Sequence, residues 1–389
     1  NNGLSYGLMI KDLGDLLLDA VKIRCDEKFT AGAHVSGGLD SGVVAALARK
    51  EYSGQELFHG FSLSPAQYDS DDLPHDERDL VRSLCTGAGI VPVFSDMTTS
   101  DFIRFVGDYF SNAGFFADDR ILEKARDLNV NLIFSGWGGD EFISTGSRSI
   151  EADLFWRMRF GIFLSRHPVT SPRRFLKVLF RAVLLPSLGI IDTELSRSLK
   201  EDTRYLKGKH KRSNREALRN FYMYPSRRRY HLGMLRHYHL QERCEAWSVN
   251  GWRKGVEYRY PLLDRRIIEY MLSVPSELLC RETVPRPLLR TLARGLLPEE
   301  ILLNRTKVDP VYRDFVGQIF VETGKALVYK LEQWRRNPDL DFIDFDILQK
   351  DLDIWQNDSS AVDTKTLFRT VIYVSAFHEF SGRYHRKGG

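Results

Sequence analysis

Apolar residues in the first 140 positions fall into short runs separated by longer amphipathic stretches. Leucines and alanines at helical spacing, with charged residues between them, predict a helix over about residues 9–24. Short apolar runs predict strands near 33–35, 57–63, 90–94 and 131–134, and amphipathic patterns predict helices over 72–85, 101–110 and 121–128. Strands that alternate with helices pair in parallel, so we predict an α/β fold, a parallel twisted sheet flanked by helices.

The second half of the chain has a different pattern. Beyond Glu141 the spacing is helical, with no further regular strand alternation. We therefore expect an α/β core over residues 1–150 and a mainly helical portion over residues 151–389.

The first strand runs directly into Ser36-Gly37-Gly38-Leu39-Asp40-Ser41, and a helical pattern follows at once. The two glycines let the backbone turn tightly and bring its N–H groups close to an anion, and the helix start adds the positive end of its dipole. Asp40 would repel a phosphate, so its position favours a Mg²⁺ ion that bridges to phosphate oxygens. The alternative is a glycine-rich turn with a capping Ser or Asp.

A second glycine-rich turn, Ser135-Gly136-Trp137-Gly138-Gly139-Asp140-Glu141, follows the fourth predicted strand. The carboxyl ends of parallel strands meet at one edge of a sheet, which is also where such sheets bind ligands. Asp40 and Asp140 should therefore lie close enough to hold one Mg²⁺ ion, unless Asp140 only caps the next helix.

Composition narrows the class of protein. Of the 389 residues, 43% are hydrophobic and 28% charged, which is typical of a soluble globular protein of about two domains. The net charge of +4 does not require a nucleic-acid partner, and no apolar run approaches the length of a membrane span. The four cysteines lack metal-ligand spacing, so we expect a reduced, cytoplasmic chain without a signal peptide. The basic, aromatic stretch 205–243 predicts either a solvated helix face or a docking surface for an acidic or peptide substrate.

Several motifs together resemble a known family. The first loop resembles the pyrophosphate loop of the ATP pyrophosphatases, and the two loops in order resemble the synthetase domain of glutamine-dependent asparagine synthetases. Three downstream segments continue the resemblance in register: Gly255-Val256-Glu257-Tyr258-Arg259-Tyr260-Pro261-Leu262-Leu263-Asp264, Pro287-Leu288-Leu289-Arg290, and Leu297 to Ile301 followed by Asn304-Arg305-Thr306-Lys307. The resemblance covers most of residues 10–310 and implies an adenine-nucleotide alpha-hydrolase-like fold.

The resemblance also implies a reaction and roles for residues. A substrate carboxylate would attack the α phosphate of ATP, and an amine would then attack the acyl-adenylate to give an amide and AMP. Ser36, Gly37, Gly38 and Ser41 would cradle pyrophosphate, while Asp40 and Asp140 would hold Mg²⁺. The nucleotide would also contact Gly136 and the strand segment from Phe61 to Leu63, whose backbone would read adenine.

Two further residues take catalytic roles by the same resemblance. Lys307 matches a lysine near the α phosphate. Glu257 matches a glutamate that, in β-lactam synthetase, supports the base that deprotonates the amine. The alternative for Glu257 is a structural ion pair with Arg259 or a neighbour.

The departures from the family pattern suggest a larger substrate. Trp137 stands where asparagine synthetases carry Glu and β-lactam synthetase carries Tyr, and it offers an apolar wall rather than a group for ammonia. A glutaminase domain is absent from this sequence, and the chain is short between Phe115 and Ser135 and after Lys307. We expect an ATP-dependent amide-forming ligase similar to lasso-peptide cyclases, acting with a leader-peptide-binding protein and a protease on a substrate that carries a carboxylate and an amine.

Three other hypotheses remain open at this point. They are an asparagine synthetase without its glutaminase domain here, a β-lactam synthetase-like cyclase, and a non-catalytic ATP-binding partner.

Overall fold

The computed structural model describes residues 5–69, 71–110, 116–144, 149–168, 171–191, 200, 203–208, 210–211, 223–280, 286–306 and 309–387. Elements are numbered below over these residues. In this part of the chain, no helix is both long and apolar enough to cross a bilayer.

A five-stranded parallel sheet organises the molecule, which confirms the predicted α/β class. The strands are β1 (Ala31–His34), β2 (His59–Ser62), β3 (Val91–Phe94), β4 (Leu132–Phe134) and β5 (Glu257–Arg259), in the order β3-β2-β1-β4-β5. Ala33 of β1 pairs with Gly60 on one side and with Phe134 on the other. The loops that follow β1 and β4 are therefore neighbours.

The fifth strand corrects the expectation that no strand follows Glu141. Strand β5 pairs with β4, Leu132 opposite Glu257 and Phe134 opposite Arg259. It has only three residues and one fully buried side chain, Tyr258, so it shows no alternation that periodicity could detect. The division of the chain into two portions at residue 150 stays a prediction, although one strand of the sheet, β5, lies after that residue.

Helices in the first part agree with the predicted elements, with shifted ends. They are α1 (Tyr6–Lys22), α2 (Leu39–Glu51), α3 (Glu77–Ala88), α4 (Thr99–Val106) and α5 (Phe116–Asp127). Helix α3 begins at Glu77 because the Asp76 side chain accepts the Arg78 N–H, and it ends at Gly89 in the left-handed conformation.

The remainder is helical, as the spacing predicts. Its helices are α6 (Ile150–Trp156), α7 (Phe160–Arg166), α8 (Pro172–Val178), α9 (Leu185–Leu188), α10 (Arg227–Arg236), α11 (Tyr238–Lys254), α12 (Arg265–Ser273), α13 (Ser276–Leu279), α14 (Pro287–Ala293), α15 (Glu299–Leu303), α16 (Pro310–Leu327), α17 (Leu331–Arg335), α18 (Phe345–Asn357) and α19 (Thr364–Lys387). Two π-helical turns (Gly139–Ile143 and Leu179–Leu184) and three 3₁₀ turns (Pro261–Leu263, Val328–Lys330 and Pro338–Leu340) complete the described elements.

Both faces of the sheet are covered by helices. Helices α1, α2 and α14 pack on one face in a single apolar cluster. On the other face, Ile121 and Leu122 of α5 and Trp247 of α11 pack against Tyr258 of β5. Helices α4, α16, α17, α18 and α19 share a second large apolar core. Because the faces are covered, the carboxyl edge of the sheet is the place open to a ligand.

Candidate active site

A cavity of about 300 Å³ lies at the carboxyl edge of the sheet. It is lined by the loops after β1 and β4, the end of β2, side chains from α3, α11 and α16, and Arg286, which directly precedes α14. The cavity brings together ten of the predicted site residues: Ser36, Gly37, Gly38, Asp40, Ser41, Phe61, Leu63, Gly136, Trp137 and Asp140.

The loop after β1 is held by its own serines. The Ser36 and Ser41 hydroxyl oxygens are 2.7 Å apart, and the Gly38 N–H donates to Ser36 Oγ at 3.2 Å. The Ser36 N–H donates to Ser41 Oγ at 3.2 Å. Helix α2 starts next, and no side chain caps its N-terminus. Its first N–H groups are therefore available to an anion.

Two glycines let the loop after β4 contact the first loop. A Cβ on Gly136 would lie 2.6 Å from the backbone nitrogen of Ser41, and a Cβ on Gly139 would overlap the Asp40 carboxylate. The contact also includes a hydrogen bond in which the Ser144 hydroxyl donates to Asp40 Oδ1 at 2.7 Å. Glycine at positions 136 and 139 therefore lets the two loops lie close enough for Asp40 and Asp140 to occupy the same edge of the sheet.

A single guanidinium joins the two carboxylates. Arg286 Nη1 is 3.2 Å from Asp40 Oδ2, and its Nη2 is 2.9 Å from Asp140 Oδ1. Arg286 precedes α14 with a φ of 62°, and its side chain is 10% exposed. The sequence reading missed this residue, although it directly precedes the Pro287-Leu288-Leu289-Arg290 segment.

An acidic residue also lies against the glycine loop. Burial, together with the nearby Asp309 carboxylate, raises the pKa of Glu77 to about 7, while the Gly37 N–H donates to its carboxylate. Glu77 is the first residue of α3, where an acid is common in any helix, so nothing in the sequence singles it out. At neutral pH its charge is only partly developed, which lessens its repulsion of a bound phosphate.

An aromatic wall closes the other side of the cavity. Arg243 lies over the rings of Trp137 and Trp247, 4.8 Å and 4.7 Å from their centroids. Trp247 in turn stacks on Tyr258 with centroids 5.1 Å apart. The indole N–H of Trp137 is buried and has no hydrogen-bond partner among the described residues.

His34, the last residue of β1, is another cavity residue that the sequence reading missed. Its Nε2 is 3.4 Å from the Tyr258 hydroxyl, and its ring meets Trp247 edge-on at 5.2 Å. Burial, reinforced by the charge of Arg243, lowers the pKa of His34 to about 3. The imidazole is therefore neutral at physiological pH.

The structure does not bring Glu257 to the cavity. It is the first residue of β5 and pairs with Leu132 at the amino end of β4, whereas the cavity is at the carboxyl ends. Its side chain is 47% exposed and accepts a hydrogen bond from Arg259 Nε at 2.7 Å. This geometry is that of the ion-pair alternative, and the expected support of a base by Glu257 finds no geometric basis here.

Two other predictions fall wholly or partly outside the described residues. Lys307 lies outside them, although its neighbour Thr306 lines the cavity. The basic stretch 205–243 is described only in part. Within that part Arg228 and Arg229 are exposed, but Arg227 is buried and donates to Ser276 Oγ and to the carbonyl of Met271.

The cavity carries a donor-lined loop, an arginine between two carboxylates, and a wall of two tryptophans. In the described ranges, no group of three or more His, Cys, Asp or Glu side chains is arranged to hold a metal ion. The family model described as Asparagine synthase matches residues 12–378. A search of curated proteins gave no match.

Proposed function

Because the chain belongs to the asparagine synthase family of ATP-dependent, AMP-forming C–N ligases, we propose that it closes an amide ring within a peptide, as lasso-peptide cyclases do. A side-chain carboxylate of the peptide would be adenylated, and the N-terminal amine of the same peptide would then attack it. The observation that carries the proposal is the position of Trp137 in the cavity wall.

Trp137 shapes the acceptor side for a large amine. Its ring contacts Arg243 and meets Trp247 with centroids 6.3 Å apart, so two indoles form one apolar surface. An indole cannot accept a proton or balance an ammonium ion, but it can pack against a peptide backbone or an apolar side chain. The wall therefore favours an organic amine over free ammonia.

The donor loop fits the adenylation step. When the carboxylate oxygen bonds to the α phosphorus, the bond to the bridging oxygen breaks and pyrophosphate leaves. The first N–H groups of α2, the Ser36 and Ser41 hydroxyls and the Arg286 guanidinium supply the donors and positive charge for that leaving group. In the second step the amine nitrogen bonds to the acyl carbon, AMP leaves, and the amine loses a proton.

Asp40 and Asp140 fit a bound Mg²⁺ ion. Both carboxylates already pair with one cationic group, Arg286, so their spacing suits a shared positive charge. Magnesium sites of this kind use one or two carboxylates together with substrate phosphates, which agrees with a two-residue set. The ion would supply charge neutralisation for the triphosphate.

An asparagine synthetase is the second candidate, and Glu141 is the observation that favours it. This carboxylate lines the same cavity, and its Oε2 is buried without a hydrogen-bond partner among the described residues. Its Oε1 is 3.5 Å from His239 Nε2. A buried carboxylate beside the acyl group could hold an ammonium ion.

An ATP–pyrophosphate exchange assay distinguishes the two candidates. We expect exchange with peptides that carry an internal Asp or Glu and a free N-terminus, and little exchange with aspartate. Mass spectrometry should show loss of one water from the peptide. Aspartate-stimulated exchange and asparagine formation from ammonia would refute the cyclase and support the second candidate.

A further inference from the structure

A second cavity lies on the far side of α11 from the cavity at the carboxyl edge of the sheet, which we call the nucleotide cavity because we propose that ATP binds there. We propose that it binds a segment of the peptide substrate that carries both a cationic and an apolar side chain. This inference rests on the proposed peptide substrate, but it concerns a separate site that can be tested without ATP.

The shape and lining of this cavity suit a short peptide. Its volume is about 750 Å³, within the range of sites that enclose small ligands. Most of its lining is aromatic or aliphatic, with few polar groups. The lining residues are Tyr109, Phe110, Tyr205, Leu206, Tyr238, Glu242, Glu245, Ala246, Val249, Phe342, Ile343, Thr370, Tyr373, Val374 and Phe377.

Two carboxylates give the cavity its charge preference. Glu242 and Glu245 line it from α11, and neither has an ion-pair partner within the described ranges. The Tyr238 hydroxyl donates to Glu245 at 3.4 Å. Burial raises the pKa of Tyr109, while the charge of Arg369 lowers it and that of Glu242 raises it, so both charges act on this side of the cavity.

Aromatic rings beside unpaired carboxylates are the chemistry that binds organic cations. A Lys or Arg side chain gains from the carboxylate charge and from the negative face of a tyrosine ring. The apolar remainder, including Phe342 and Phe377, would take an aromatic or aliphatic neighbour of that side chain. The ligand class is therefore a basic and apolar peptide segment rather than an acidic one.

Helix α11 gives this cavity a physical connection to the nucleotide cavity. Its residues Tyr238, Glu242, Ala246 and Val249 share one face, at the i, i+4, i+8 and i+11 spacing of a helix. Trp247 lies about 140° round the helix from Glu242 and reaches the nucleotide cavity instead. A peptide held on this face of α11 is therefore separated by about one helix diameter, ~10 Å, from the wall against which the acceptor amine is expected.

Binding of a defined probe tests the assignment. The full chain is titrated, without ATP, into fluorescein-labelled Lys-Phe-Lys-Phe amide, and anisotropy is recorded in parallel with the Glu-Phe-Glu-Phe peptide. We expect the cationic peptide to bind more tightly and the double variant Glu242→Gln/Glu245→Gln to weaken its binding about tenfold. The variant Thr370→Trp, which fills the cavity from α19, should also weaken binding.

A charge-matched control is the double variant Glu27→Gln/Glu56→Gln, since both residues are exposed and neither lines the cavity. It should bind the probe as the unaltered chain does. Equal affinity for the two peptides, or equal loss in the control and in Glu242→Gln/Glu245→Gln, would overturn the proposal.

The site and the proposed function can fail separately. If the probe binds as expected but exchange requires aspartate, the cyclase is refuted, and the cavity stands as a site for basic, apolar peptide segments but not for a segment of the substrate. If exchange requires a peptide but its KM is unchanged in Glu242→Gln/Glu245→Gln, the cyclase stands and the cavity assignment is refuted.

Discussion

At the scale of single residues, Asp40 connects the two loops of the nucleotide cavity. One carboxylate oxygen accepts a hydrogen bond from Ser144 and the other pairs with Arg286. The change Asp40→Asn keeps the size but removes the negative charge. We expect the rate of ATP–pyrophosphate exchange to fall by about 10²–10³-fold, because one of the negative charges that balance the ion on the triphosphate is lost.

The matched control for this variant is Asp127→Asn at the end of α5, which is 65% exposed. The rate of ATP–pyrophosphate exchange and the free energy of unfolding should be the same in Asp127→Asn as in the unaltered chain. Retention of more than a tenth of the exchange activity by Asp40→Asn would remove Asp40 from the site.

We expect Glu77 to make the stability of the folded chain depend on pH. Its pKa is raised to about 7 in the folded chain by burial and by Asp309. Between its unfolded pKa, about 4.5, and 7 the folded state holds the proton more tightly, so stability should fall as pH rises through this window. The glutamine in Glu77→Gln cannot ionise. We therefore expect the free energy of unfolding to drop less between pH 5 and pH 8 in this variant than in the unaltered chain, by about 1–3 kcal/mol.

Denaturant titrations at the two pH values measure this difference. Glu56→Gln, an exposed glutamate before β2, should follow the unaltered chain. If Glu77→Gln follows it too, Glu77 does not titrate near neutrality.

The sequence can predict a site residue only when its residue type is unusual for its place in the local sequence. Asp40 and Asp140 are predictable because an acid in a glycine-rich loop after a parallel strand is unusual and has few uses. Arg286, His34 and Glu77 carry no such mark, since each is placed by packing among segments far apart in the chain. Glu257 is the opposite case. It matches a family motif, but the match does not show at which end of the sheet the residue lies.

At the scale of elements, close contact between two loops depends on Gly136. A Cβ at this position would lie 2.6 Å from the Ser41 backbone nitrogen, and backbone cannot move aside as a side chain can. We expect Gly136→Ala to separate the loops, lower exchange by at least about tenfold and reduce stability by about 1–3 kcal/mol.

Gly54→Ala is the matched control, because a Cβ there meets nothing within 4 Å. It should keep both stability and exchange. Full exchange activity in Gly136→Ala would show that the two loops need not touch for nucleotide binding.

The elements themselves were predictable to differing degrees. Strands β1 to β4 and their helices follow from the sequence pattern, because each of these strands lies in an apolar run between amphipathic stretches. Strand β5 (Glu257-Tyr258-Arg259) has charged residues on both sides of its one buried side chain and was missed, since its place depends on pairing with β4 and on Tyr258 packing against Trp247. Short elements of this kind are fixed by tertiary contacts rather than by local pattern.

At the scale of the whole molecule, added nucleotide should protect the loops of the nucleotide cavity and leave unchanged the helices of the second apolar core that do not line it. The loops after β1 and β4 and the start of α2 line the nucleotide cavity, while α17 and α18 belong to the second core. Hydrogen exchange measured by mass spectrometry should therefore slow at residues 36–44 and 135–144 when ATP and Mg²⁺ are added. Amides of 331–335 and 345–357 should exchange as before, because they do not contact the cavity.

The Asp40→Asn variant provides the reference for this experiment. Added ATP should leave the hydrogen-exchange rates of its amides largely unchanged. Helix α11 provides the most informative region, because Trp247 lines the nucleotide cavity while Glu242 lines the second one. Protection of α11 by ATP would show that nucleotide binding is communicated to the helix shared by both cavities. Equal protection of α17 and α18 would contradict a local nucleotide site and would require the two cores to act as one unit.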